Sequence, residues 1–372
     1  MFWEAYTFRH VVGYCGKVPA GVRAAVRDAV QSGVPSQRYV PSGVWVFGSL
    51  VIGYLFLGGA GCGALVALSV MACLPRTTDR FRIPGHVGTQ DQQYVAAWSP
   101  TSGQRLSLPG DFFRRAWPLC TACIAAGVVC LVLDAGRPER LSNLFLYANA
   151  SPVSVGAWAL AASLAVSVAF SYLTLFDHRP LPRAFSLVLG LAGVASGLVA
   201  AGYSGVLLTW LPSVAFWQTP LVSVVFTLSA LSCGLALLFL AAAFTQTRQA
   251  ILLPLTKLAQ VDGLLILGEA SALAALLLWG VWGSDASATS GPALALAAGD
   301  LAAPFWCGLV VLGLAVPVAM ERRISFANMT PQLVWIGALV LLGGFLLRWL
   351  VVSSGAWDVT QISQVGWGMT GW

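Results

Sequence analysis

The residues of this chain that could do chemistry are few, and they stand out because of where they lie. Asp262 and Glu269 fall inside one long apolar run, and Arg348 falls inside another. Each ionised group is costly in an apolar medium, so such residues usually have a partner or a task. Asp262 and Glu269 are seven residues apart. On a helix that places them on one face, two turns and about 10 Å apart along the axis. A ladder of that kind suits proton relay. The alternative is that each acid is neutral or hydrogen-bonded between helices and only fixes packing. Arg348 can reach the surface with its long side chain, pair with Glu269, or hold a polar ligand. Tyr203, followed by the aromatic cluster around Phe216 and Trp217, has the groups that grip a quinone: a phenol to donate to a ring carbonyl and rings to stack on it. The same aromatics fit an interfacial belt.

Other chemistries find less support. The protein has eight Cys, but seven of them, Cys62 to Cys307, fall in or at the ends of apolar runs. Cys120 and Cys123 form a CxxC with no second pair, whereas a zinc site or a four-iron cluster needs four ligands. They read as small core residues, and no metal site is expected. The three His, His10, His86 and His178, lie outside the apolar runs. A haem held between two membrane-embedded His is therefore not expected.

The elements that must position these residues are membrane helices. Of 372 residues, 58% are hydrophobic and 9% charged, and there are 39 Gly and 15 Trp. A soluble domain carries about 25% charged residues. Glycine permits close helix packing in lipid, and Trp gathers at the interfaces. The net charge of +6 fits basic cytoplasmic loops better than nucleic-acid binding. Lipid leaves free backbone groups unsatisfied, so the spanning elements must be helices. Eight segments suffice: 44–74, 112–134, 153–176, 185–208, 220–243, 260–282, 302–319 and 333–353. The fold class is thus all-α integral membrane protein with eight spans, in two four-helix bundles. Gly156-Ala157-Trp158 in span three loosely echoes Phe305-Trp306-Cys307-Gly308 in span seven, which suggests a parallel repeat.

With an even number of spans both termini lie on one side, here side A. Counting helix ends, side B holds twelve Lys and Arg and side A seven. The positive-inside rule makes side B cytoplasmic and puts both termini outside. Residues 1–43 form a polar extramembrane segment in which 22–31 can make a short amphipathic helix. The membrane domain covers 44–353, and 354–372 is a short tail. The first apolar run starts at Val44, too late and too long for the core of a cleaved signal peptide.

Several short motifs flank the spans. Leu133-Asp134-Ala135-Gly136-Arg137-Pro138-Glu139-Arg140 ends span two on side A. Its four charges can clamp one another or dock a partner. Ser151 and Pro152 suit the start of span three, as cap and first helical residue. Leu57-Gly58-Gly59-Ala60-Gly61-Cys62-Gly63 gives span one a small-residue face, for packing first and ligand room second.

In this order, the glycine-rich 57–63, the 133–140 box, 151–158, Tyr203-Ser204-Gly205-Val206-Leu207-Leu208, 216–219, Asp262 with Glu269, and 343–348 resemble the NrfD-like membrane subunits of polysulfide reductase, over roughly 44–353. The family's commoner Asp-Leu-Gly is Asp-Ala-Gly here, and a family Trp is Val155. The resemblance implies a subunit without haem or cluster that binds menaquinone or ubiquinone as substrate. It implies a ferredoxin-like iron–sulfur partner docked on side A, relaying electrons to a molybdopterin or multihaem catalytic subunit. It places Asp134, Arg137, Glu139 and Arg140 near that interface and the quinone pocket, with Tyr203 close to the same pocket. Asp262 and Glu269 match positions linked to proton movement in some members. On this reading Asp134, Glu269 and Asp262 move protons, while Tyr203, Arg137, Arg348 and Trp217 line the quinone site. Glu139 and Arg140 face the partner. The rival readings are a secondary transporter and a structural anchor that has lost its quinone site.

Overall fold

A computed structural model of the protein describes residues 49–73, 110–134, 152–176, 182–210, 214–245, 248–283, 286–323 and 329–365. The amphipathic stretch at 22–31, the three His, Ser151, and Arg137, Glu139 and Arg140 lie outside these residues. Eight helices are long and apolar enough to cross a membrane: Leu50–Cys73, Asp111–Asp134, Ser154–Phe176, Arg183–Thr209, Pro220–Ala243, Pro254–Trp282, Pro304–Glu321 and Thr330–Gly355. They are spans one to eight, and each overlaps the corresponding sequence expectation. The described residues contain no strand.

Spans one to four pack as one four-helix group and spans five to eight as a second. Spans one and five form the seam between the groups, with span eight against both. These three are the most buried of the eight, while about a third or less of each of the other five is buried. The seam is close because it is made of glycine. A side chain on Gly234 of span five would strike the span-one backbone at Gly63 and Ala64, and one on Gly63 would meet the carbonyl of Ala230. Span one meets span two the same way, Gly127 against Gly58 and Gly61 against Ile124. Thus the small-residue face of 57–63 is spent on two neighbours at once. In lipid, where apolar side chains gain little by leaving their surroundings, close backbone approach is a main source of helix association.

Local sequence sets the ends. Pro152 heads the helix of span three. Thr219 caps span five, its hydroxyl accepting from the Leu221 amide at 3.4 Å, with Pro220 at the first helical position. Two elements differ from a plain eight-helix reading. Span seven is π-helical from Pro304 to Ala315 and α-helical only from Val316 to Glu321. In it Gly313 faces Gly343 of span eight so closely that a side chain on either would strike the other backbone. The helix of span eight runs on to Val365, so the beginning of the expected tail continues it.

On side A the second group is roofed. A 3-10 turn, Ala215–Trp217, and a short helix, Ala286–Ala297, pack over the ends of spans six and eight. Trp217 is fully buried there, its ring against Gly355 and its indole N–H donating to the Val351 carbonyl at 3.0 Å. Trp306 donates to Ala297 at 2.8 Å and Thr289 to Gly280 at 2.8 Å, tying the short helix to spans seven and six.

Replacing Gly234 by Val should separate spans one and five. Overpacking of a tight core costs about 1–3 kcal/mol, so thermal unfolding in detergent should occur at clearly lower temperature than in the parent. An unchanged unfolding temperature would show that the seam is looser than described.

Candidate functional site

Among the described residues the deepest cationic side chain is Arg348. It sits seven residues before the side A end of span eight, about 10 Å below that end. It does not reach the surface: its exposure is 0%. Its Nε donates to the Leu55 carbonyl of span one at 3.0 Å. Nη1 donates to the Gly344 carbonyl of its own helix at 2.8 Å and to the Ser229 hydroxyl of span five at 3.2 Å. The guanidinium also lies 5.5 Å from the Phe226 ring centre and 5.9 Å from that of Phe56, within cation–π range. Gly59 makes the space, since a side chain there would stand 2.9 Å from Nη2. Nη2 itself makes no hydrogen bond among the described residues.

Glu269 is buried beside this cluster, 3% exposed. The two charges do not form a direct ion pair; Ser229 stands between them. Its hydroxyl accepts from Arg348 and is within hydrogen-bond reach of the Glu269 carboxyl. Arg348, Ser229 and Glu269 are therefore one polar string crossing spans eight, five and six. Three residues further along span five, Ser232 faces Asp262, which is 0% exposed. Spans five and six run antiparallel, so the pair Ser229 and Ser232 matches the pair Glu269 and Asp262, one hydroxyl to each acid. The apolar run 229–233, Ser-Ala-Leu-Ser-Cys, carries this signal in its spacing. A hydroxyl in a transmembrane helix ordinarily satisfies its own backbone, so the spacing alone does not single it out.

Asp262 also has a partner that the sequence does not reveal. Glu321, which falls in the loop after span seven by sequence, is the last residue of that span's helix and is 8% exposed. Its carboxyl lies within hydrogen-bond reach of that of Asp262.

A second grouping lies at side A. Asp134 ends the helix of span two, Tyr54 is one turn into span one, and Tyr203 is two turns from the end of span four. Tyr203 and Asp134 each lie within electrostatic reach of Tyr54. Tyr54 is 9% exposed, while Tyr203 and Asp134 are half-buried. The Tyr203 ring fits against Gly156, where any side chain would overlap it. So Gly156 of span three, which in sequence is only part of a possible repeat, has a clear local duty. Leu55, next to Tyr54, is the residue whose carbonyl holds Arg348. Span one thus links the side A grouping to the buried string.

The structure therefore brings Asp134 and Tyr203 each within electrostatic reach of Tyr54, and Glu269 to Arg348 through Ser229. Trp217 is placed apart from these, under the side A roof. A shallow depression beside it, lined by Val206, Thr209, Gln218, Thr219, Pro220 and Ser223, opens between spans four and five. Three cysteines pack in helix contacts, Cys120 against the Gly61 carbonyl at 3.3 Å, Cys123 against that of Leu57 at 3.5 Å, and Cys233 against that of Val340 at 3.8 Å, while Cys307 is exposed.

Removing one member of the central string should leave another stranded. Arg348→Met strips Ser229 and two carbonyls of their donor and leaves Glu269 without the nearby positive charge, and such losses cost about 3–5 kcal/mol. The variant should unfold in detergent well below the parent, and adding Glu269→Gln to it should recover part of the loss. Parental stability of the single variant would show that the guanidinium is not what satisfies the seam.

Comparison with known proteins bears on what this arrangement serves. The model of the family "Polysulphide reductase, NrfD" matches residues 94–360, which takes in spans two to eight. The C subunit of polysulfide reductase from Wolinella succinogenes is 27% identical over 276 residues, covering 67% of the present protein and 84% of that subunit. With eight spans and a family match over most of its length, this protein belongs to the polysulphide reductase NrfD family, the membrane subunits of respiratory oxidoreductases.

Proposed function

We propose that the protein exchanges electrons and protons with a quinone at side A and passes the electrons to an iron–sulfur partner. The observation that carries this reading is the convergence of Tyr54, Tyr203 and Asp134 from three different spans, close to one membrane face and connected through Leu55 to a buried arginine. A quinone ring needs a donor for each carbonyl and a group that takes or gives its protons. Tyr203 supplies the donor. Asp134, half-buried and at the membrane face, is placed to carry a proton between the ring and water. The resemblance of the 133–140 box assigns Arg137 to the quinone site and Glu139 and Arg140 to the partner. Trp217, enclosed by Gly355, walls the neighbouring roof.

Each quinol gives up two electrons and two protons. The electrons pass to the nearest cluster of a ferredoxin-like subunit docked on side A, and from there to a molybdopterin or multihaem catalytic subunit. Run in reverse, the same site reduces menaquinone or ubiquinone. The protein's own contribution is to fix the ring, to hold a positive charge at Arg348 near the developing negative charge, and to carry protons through Glu269 and Asp262. The Wolinella relative's name, as one subunit of a polysulfide reductase, supports a place in a multi-subunit reductase. The Lys and Arg bias supports a cytoplasmic membrane with side B inside.

In the assembled complex, Tyr203→Phe and Asp134→Asn should each lower quinol-dependent electron transfer about a hundredfold, the scale of general acid–base assistance, without changing subunit composition. Glu269→Gln should impair turnover while the complex still assembles. Parental turnover in both side A variants would remove the site. Mass spectrometry of what co-purifies with the tagged protein in mild detergent tests the partner: an iron–sulfur subunit is expected. A folded protein that emerges alone in good yield would favour a transporter.

A further inference from the structure

The buried acids do not end at Asp262. Glu321 stands at the last position of span seven, at its side B end, and Arg322 and Arg323 after it are exposed. Its carboxyl is turned inward: it is buried and reaches the carboxyl of Asp262. None of the four oxygens of these two groups meets a hydrogen-bond donor among the described residues. The Ser232 hydroxyl, 1% exposed, makes no hydrogen bond among the described residues either, and lies within electrostatic reach of Asp262. No side chain on Gly263 intervenes, and a Cβ there would stand 3.5 Å from Glu321 Oε2. The other titratable groups within electrostatic reach are Glu269 on the same helix and Cys233 on span five. Neither Arg322 nor Arg323 is buried with the pair.

Two carboxylates cannot occupy a buried site together without a donor or cation between them. A single proton shared by the two oxygens resolves this, one group donating and the other accepting. The pair then holds one proton at the boundary between the apolar interior and side B water. It can pass that proton outward and take another from the Glu269 side, or work in the opposite direction.

We propose that Asp262 and Glu321 form a proton-exchange port to side B, with Glu321 as its outer group and Ser232 as its third ligand. This rests on the quinone reading above, since quinone turnover supplies or consumes the protons. Along span six, Asp262 and Glu269 are two turns apart, about 10 Å, a gap that a short chain of water molecules must bridge.

The test uses the whole complex reconstituted in vesicles, with electron transfer from a quinol analogue followed together with a pH dye in the side B compartment. In the parent, protons should exchange with side B at each turnover. In Glu321→Gln and in Asp262→Asn, the protons exchanged per electron should fall at least fivefold, and Glu321→Asp should restore part of the ratio. Parental ratios in both variants, or quinone turnover in the parent with no side B exchange, would overturn the port and leave the quinone site standing. Absence of any quinone-dependent electron transfer in the parent would instead overturn the quinone reading. In that case, or if the variants do not assemble, infrared spectroscopy of the parent protein, isotope-labelled at Glu or Asp carboxyls, decides. A label-sensitive band of a protonated carboxyl at neutral pH is expected. Its absence, or turnover that requires sodium ions, would contradict a shared proton.

Discussion

A guanidinium cannot be left alone in the middle of a helix bundle. The penalty for taking a charge out of water amounts to several kcal/mol even after relaxation, and in this protein it is met by three different helices. Arg348 draws on the Leu55 carbonyl of span one, the Ser229 hydroxyl of span five and the Gly344 carbonyl of its own span eight. These are the three most buried spans. The residues that let them approach are also those that make room for the charge. Gly59 leaves space for Nη2, and Gly63 and Gly234 bring spans one and five into backbone contact. The seam between the two four-helix groups and the site of the buried cation are one feature, and the polar string to Glu269 grows out of it.

From that centre the polar groups extend both ways. Toward side A, the sequence neighbour of Leu55 is Tyr54, within electrostatic reach of Tyr203 and Asp134. Toward side B, Ser229 and Ser232 on span five attend Glu269 and Asp262 on span six, and Glu321 closes the row. Every member belongs to a helix whose backbone is already satisfied, so side-chain chemistry can be placed at depth without exposing backbone to lipid. Spans two, three, four, six and seven are far less buried than spans one, five and eight.

Much of the fold is legible in the sequence because lipid imposes one simple requirement, a run of about 20 apolar residues per crossing. The expected and observed spans differ by a few residues at most ends. The clearest difference is span six, whose crossing begins at Pro254 rather than at 260. The helix itself begins at Arg248 and carries Pro254 inside it, a residue that reads in sequence as a helix stop, and the polar Lys257 and Gln260 also hide the start. The π-helical course of span seven leaves no mark in its composition. In the candidate site, acids in apolar runs are easily seen, but their partners are not. Tyr54 looks like an interfacial aromatic and Ser229 like a helix hydroxyl. Glu321 looks like a loop residue because Arg322 and Arg323 follow it. Spacing along one helix shows which residues share a face, but not which neighbour that face meets.

The central claim is that a quinone is bound among Tyr54, Tyr203 and Asp134. Photo-crosslinking with a quinone carrying a photoreactive tail, followed by peptide mapping of the complex, addresses it most directly. The account predicts labelling of the side A ends of spans one, two and four, suppressed by excess unmodified quinone. Labelling that excess quinone does not suppress, or suppressible labelling confined to spans remote from these three residues, would contradict it.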